Sequence, residues 1–139
     1  PRNLLVQPIS TRNIDVLTAN EPMLESLVRA VREGSLLATL KIAILDQLPG
    51  HTLTEEEAAA SQNMSLRTLQ RRLQDEGTRF RVLLDQTRAE LAENRLGDPM
   101  VGLSEVSYLC GFSEQASFSR AFKRWTGESP STYRQKRLS

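Results

Sequence analysis

The chain has one cysteine, seven aromatic residues and almost no excess charge. A single cysteine cannot form an internal disulfide, and no Cys/His set has the spacing of a zinc site. No apolar run approaches the roughly 18 residues of a membrane span, and there is no signal-peptide pattern. Phosphate loops, nucleophilic-cysteine motifs and metal-ligand sets are also missing, so neither an enzyme nor a cofactor is expected here. Few segments alternate with period two, so essentially no sheet is expected. A length of 139 residues allows one domain or two very small ones. Each half alone would be marginal. These absences leave an all-α protein, expected to be soluble and to work in a reducing compartment, with no membrane partner.

The formal charge of +1, from 18 basic and 17 acidic side chains, argues at first against nucleic acid. The average hides patches. Only Lys41, Lys123 and Lys136 are lysines; every other basic residue is arginine. Residues 67–81 hold Arg67, Arg71, Arg72, Arg79 and Arg81 against Asp75 and Glu76, a local +3. Residues 115–137 hold Arg120, Lys123, Arg124, Arg134, Lys136 and Arg137 against Glu128, a local +5. The acids gather elsewhere, as in Glu55-Glu56-Glu57. All the aromatics lie between Phe80 and Tyr133.

Helix signals run through most of the chain. Residues 1–19 carry only short apolar pieces, Leu4-Leu5-Val6 and Ile14-Asp15-Val16-Leu17. Asn20 with Pro22 reads as a helix start, with Met23, Leu24, Leu27, Val28 and Val31 as its apolar face. Gly34 suits the position after a helix end, and Ser35 can cap the next helix, whose stripe is Leu37, Leu40, Ile44 and Leu48. These two stripes pack either on the first helix-turn-helix described below or on another subunit. Thr54 with Glu57 is a capping-box spacing over a short helix at 55–61. Ser65, Thr78, Ser113 and Ser129 are further expected caps, with Pro130 in a first helical turn. The helix after Thr78 carries Phe80, Leu83, Leu84, Leu91 and Leu96 and ends at Gly97-Asp98-Pro99.

Two stretches, 54–77 and 102–127, are built alike. Each has a short helix, a three-residue turn, then a basic helix ending at glycine. The turns are Asn63-Met64-Ser65 and Gly111-Phe112-Ser113. Met64 and Phe112 plug the angle between the helices. Leu69/Leu73 and Phe118/Phe122, each an i, i+4 pair, face inward. Facing out are Arg67, Thr68, Gln70 and Arg71 in the first copy, and Gln115, Ser117, Ser119 and Arg120 in the second. A protruding helix bearing Arg and Gln can form bidentate hydrogen bonds to guanine and adenine edges. First-turn amides and a capping serine can hold a phosphate. A single helix-turn-helix is a weak signal, whereas two with matched turns and basic outer faces are a stronger one. The 19 residues of 78–96, about 28 Å as a helix, would act as a ruler between successive major grooves about 34 Å apart.

Ser65-Leu-Arg-Thr-Leu-Gln-Arg-Arg-Leu, Glu76-Gly-Thr, and Gly111-Phe-Ser-Glu-Gln-Ala-Ser-Phe-Ser-Arg-Ala-Phe-Lys-Arg-Trp-Thr-Gly, with Ser129-Pro and Tyr133-Arg134, closely resemble the DNA-binding domain of the AraC/XylS family of bacterial transcription regulators. The resemblance covers about residues 51–137. It implies two helix-turn-helix subdomains joined by a long central helix, binding to double-stranded promoter DNA, and activation through RNA polymerase. Carried onto this chain, the base-reading positions are Arg67, Gln70 and Arg71, then Gln115, Ala116, Ser119 and Arg120. Ser65 and Ser113 fall at phosphate-contacting positions. Thr68, Arg72, Arg79, Arg81, Ser117, Lys123 and Arg124 are further candidates for the DNA backbone. Asn63 stands where the family usually has glycine, and Ala116 offers at most an apolar contact to a thymine methyl. Residues 20–50 look like the segment preceding this domain in members with an arabinose-binding-type N-terminal domain. With the non-Met start, this implies a preceding effector or dimerisation domain and a cytoplasmic, nucleoid-associated regulator.

The expected partition is a tail or domain remnant at 1–19, a helical linker segment at 20–50 and the DNA-binding domain at 51–139. Within the last, the first helix-turn-helix is 53–77, the linking helix 78–97, the second helix-turn-helix 102–127 and the C-terminal helix 130–136. The competing reading is a helical protein-interaction module whose basic faces dock an acidic partner. Cys110 reads as a small buried residue, Glu55-Glu56-Glu57 as an acidic first turn, Trp125 as core beside Phe122 and Tyr133, and His51 as a loop residue without a partner.

Overall fold

The structure, a computed structural model, describes residues 21–139. The cap expected at Asn20 and the short apolar pieces of 1–19 lie outside them. The described residues form eight α-helices and no strand. They are α1 (Glu21–Arg32), α2 (Leu36–Gln47), α3 (Glu55–Ser61), α4 (Leu66–Asp75), α5 (Phe80–Leu96), α6 (Leu103–Leu109), α7 (Gln115–Thr126) and α8 (Pro130–Leu138). None is long and apolar enough to cross a membrane.

Local chemistry sets most of the boundaries. Ser35, Ser65 and Ser129 each accept a hydrogen bond from the amide three residues on, so α2, α4 and α8 begin where their caps demand. Thr54 and Glu57 complete a reciprocal capping box at α3. The Thr54 amide and the His51 ring, 2.7 Å from the carboxylate, hold the Glu57 pKa below its ordinary value. His51, expected as a loop residue without a partner, meets Glu57 on folding.

Two expected caps move by one residue. The extended residue before α5 is Arg79, not Thr78, and before α7 it is Glu114, not Ser113; neither caps through its side chain. The Thr78 hydroxyl points instead to the Arg79 carbonyl. At the first site the polypeptide turns out of α4 through left-handed Gly77, and that turn takes up Thr78. The linking helix is therefore 17 residues rather than 19, about 25 Å long.

The core is one cluster. Leu69 and Leu73 of α4 and Phe118 and Phe122 of α7 are fully buried, as their i, i+4 spacing requires. From α5 come Phe80, Leu83, Leu84, Leu91 and Leu96, all foreseen, together with Thr87, Ala92 and Arg95. From α2 come Leu36, Leu40, Ile44 and Leu45, and from the residue that closes it Leu48, while Leu37 is only half-buried. The stripe on α2 thus packs within the chain. It packs chiefly on α1 and the linking helix, not on the first helix-turn-helix. Lys41 fastens the two helices with an ion pair to Glu90 at 3.0 Å.

The end of α2 also abuts the second turn. Gly111 has φ +91°, and a Cβ there would lie 2.9 Å from Leu48 Cδ2. Left-handed backbone and close approach both call for glycine. In the first turn the matching residue, Asn63, has φ 57°, the conformation its side chain tolerates best among non-glycines. Gly111→Ala is expected to lower the unfolding free energy by about 1–3 kcal/mol. Urea unfolding checks it, and an unchanged midpoint would contradict it.

Candidate nucleic-acid interface

The two helix-turn-helix units are α3–α4 and α6–α7, and each turns on the residue the sequence singles out. Met64 and Phe112 are half-buried against the core, where they wedge the helix pairs apart. With Leu69 and Leu73 inward, α4 presents Arg67, Gln70, Arg71 and Arg72 to solvent. No ion pair among the described residues engages these arginines. With Phe118 and Phe122 inward, α7 presents Gln115, Ala116, Arg120, Lys123 and Arg124, also without carboxylate partners. Ser119 and Ser117 are half-buried at the edge of that face, and the Arg120 guanidinium lies 3.5 Å from the Ser117 hydroxyl.

The candidate backbone contacts divide by how occupied they are. Ser65 is exposed, but its hydroxyl accepts from the Thr68 amide and donates to the Thr68 hydroxyl. The hydroxyl proton left over at this helix start belongs to Thr68. Ser113 is exposed and one residue outside the cap position of α7. Arg79 is exposed with no ion pair, whereas Arg81 rests 3.4 Å from Asp85. Gln70, Arg79 and Arg81 also line a shallow cleft over Leu73 and Phe80, where α4 meets the start of α5.

Folding engages half of the basic groups of 115–137 within the protein. Arg134 gives its guanidinium to the carbonyls of Leu96, Asp98 and Val101. The Leu96 carbonyl is one that a helix C-terminus leaves open, and Asp98 and Val101 belong to the loop that follows, so Arg134 caps the linking helix and ties down its exit loop from α8. Lys136 pairs with Glu128 at 2.9 Å. Arg137 reaches the Tyr133 hydroxyl and the Glu93 carbonyl. Among the described residues, Arg120, Lys123 and Arg124 of that run have neither a carboxylate nor a carbonyl partner.

Folding also reveals arginines the motif reading passed over. Arg88 and Arg95 sit on the buried side of α5, Arg95 4% exposed and 3.5 Å from Asp98. Their signal was present: residues 84, 88, 91 and 95 share one helical stripe with the leucines. Trp125 packs on Phe112, with centroids 5.9 Å apart, and not on Phe122, which meets Tyr133 edge-on. Cys110 is fully buried, and burial raises its thiol pKa to about 12. It is therefore expected to resist thiol reagents at pH 8 until the protein is unfolded. Mass-detected alkylation tests this, with rapid native labelling as the contrary result. No group of His, Cys, Asp or Glu among the described residues could hold a metal ion.

Comparison with known proteins matches this arrangement. The helix-turn-helix domain family matches residues 58–136. The ornithine utilization regulator of Pseudomonas aeruginosa is 34% identical over 97% of this chain, which spans 40% of that protein's length. The C-terminal domain of AraT, a response regulator from Geobacillus stearothermophilus, superposes with a TM-score of 0.65 at 30% identity, covering 76% of this chain and 88% of that one. The transcriptional regulator CdpR of P. aeruginosa superposes with a TM-score of 0.64 at 33% identity, over 78% of this chain and 35% of that one. With two helix-turn-helix units on one linking helix, a matching domain family and these relatives, the chain belongs to the AraC-type helix-turn-helix family of transcription regulators.

Proposed function

We propose that this chain binds promoter DNA sequence-specifically and regulates transcription, with α4 and α7 entering successive major grooves on one face of the duplex. One observation carries the reading: the same helix–turn–helix occurs twice in one core, each time exposing Arg and Gln side chains that no acid among the described residues pairs with. Arg67, Gln70 and Arg71 read one half of the site. Gln115, Arg120 and Ser119 read the other, with Ala116 against a thymine methyl. Thr68, Ser65, Arg72, Arg79 and Arg81 hold the backbone beside the first half, and Ser113, Ser117, Lys123 and Arg124 beside the second. The folded DNA-binding unit takes in α2, whose leucines complete the core under α5. Contact with RNA polymerase, an activating role in the cytoplasm, and control by an effector or dimer partner belong to the same proposal. They rest on the family.

Anisotropy titration of a selected duplex, a scrambled duplex and heparin tests the reading over a range of salt. The expected result is a preference for the selected duplex of about 10³ or more, with affinity falling steeply as salt rises. Equal affinity for all three would instead mark a module that docks acidic partners.

A further inference from the structure

The geometry points to Arg88 as the positioning residue that fixes the second recognition helix against the linking helix. This inference rests on the DNA-binding reading above. Arg88 lies midway along α5, and its side chain is 12% exposed. Its guanidinium carbon is 5.1 Å from the centroid of the Phe112 ring and 5.3 Å from that of Trp125. Phe112 lies in the turn before α7, and Trp125 lies in the last turn of α7. One cation therefore grips the helix-turn-helix both before and near the end of its reading helix. The Arg88 carbonyl holds a third point, accepting from Cys110 Sγ at 3.7 Å, at the end of α6.

The polar satisfaction of this group is thin. Asp85, one turn back, approaches at 3.4 Å, and the same carboxylate is shared with Arg81. The Arg88 Nε has no hydrogen-bond partner. For stability alone, an apolar side chain of similar volume would serve as well or better than such a buried cation. What the guanidinium adds is direction. A planar cation held by one carboxylate and laid over two ring faces fixes their distance and tilt, as a flexible hydrocarbon chain does not. Base reading needs that fixity. The two reading helices must meet two grooves at once, and Arg88 is a polar group that joins the helix spanning them to the second reader.

The test compares the 139-residue chain with its Arg88→Met and Arg88→Lys variants. Thermal melting reports the fold. Residual dipolar couplings report the orientation of α7 relative to α5 in the free protein. Footprinting on the selected duplex reports each half of the site separately. Arg88→Met is expected to melt near the parent, to lose the single fitted orientation of α7, and to weaken protection of the α7 half about tenfold while sparing the α4 half. Arg88→Lys, which keeps a charge but not the planar fork, is expected to fall between the two. Wild-type orientation and equal protection of both halves in Arg88→Met would overturn the proposal. So would a changed orientation with an unchanged footprint, or equal weakening of both halves. If Arg88→Met does not fold, the Lys variant decides by the same two readouts. If the parent chain itself selects no duplex, the DNA reading fails, and the dipolar couplings alone judge whether Arg88 fixes α7.

Discussion

Alanine at both Arg71 and Arg120 is expected to cost roughly 2–6 kcal/mol of affinity for the cognate duplex, from about 1–3 kcal/mol at each position. The two side chains sit on different reading helices, share no partner and are both exposed. Their losses should therefore add. Neither supports the fold. Among the described residues Arg71 makes no ion pair, and Arg120 makes none either but hydrogen-bonds Ser117. Thermal melting of the double variant should accordingly match the parent, while each single variant relaxes specificity in one half of the site only. Measuring affinity on duplexes mutated in each half separates these effects. Unchanged affinity in both single variants would remove the residue assignment, and uniform loss on every duplex would recast the arginines as backbone contacts.

Phe118→Ala is expected to lower the unfolding free energy by about 3–5 kcal/mol. The ring is fully buried, with centroids 5.7 Å from Phe112 and 5.8 Å from Phe122. Removing it opens a cavity beneath α7 and takes away support from the Phe112 wedge. Domains of this size are stable by about 5–15 kcal/mol, so the variant should retain only a fraction of that. Loss of DNA binding in the second half should accompany the loss of stability, because the same ring seats the reading helix. Urea unfolding gives the magnitude; a cost under about 1 kcal/mol would show that the second unit packs by other means.

The reading faces were legible because helical period alone separates them. Leu69 and Leu73 must go in, and that sends Arg67, Gln70 and Arg71 out. Phe118 and Phe122 do the same for Gln115 and Arg120. The turns were legible because Gly111 and Asn63 are residue types that accept left-handed backbone. Other features were not legible, for physical reasons. Thr78 and Ser113 have capping chemistry, but a hydroxyl caps only if the preceding turn leaves it at the right place. The charge of 115–137 could not be apportioned, because Arg134, Lys136 and Arg137 find their partners across α8, the end of α5 and the 126–129 turn. Those contacts are long-range, except for Tyr133 and Glu128. His51 meets Glu57 only because the 48–54 loop folds back on α3. The near-neutral total charge sets two basic outer faces against acids placed elsewhere, such as Glu55, Glu56 and Glu57, and it limits bulk attraction to DNA. On the proposed function, affinity is expected to come from fit and base contacts.

On the proposed function, α4 and α7 read two halves of one site across a linking helix about 25 Å long. Selection of bound sequences from a random duplex pool, followed by footprinting of the winner, tests it most directly. The account predicts one recurrent motif with two protected segments on the same face, centred about one helical turn apart. Substitution of Arg71 should erase preference in one segment, and substitution of Arg120 in the other. A single short motif insensitive to Arg120, or two segments at variable spacing, would contradict it.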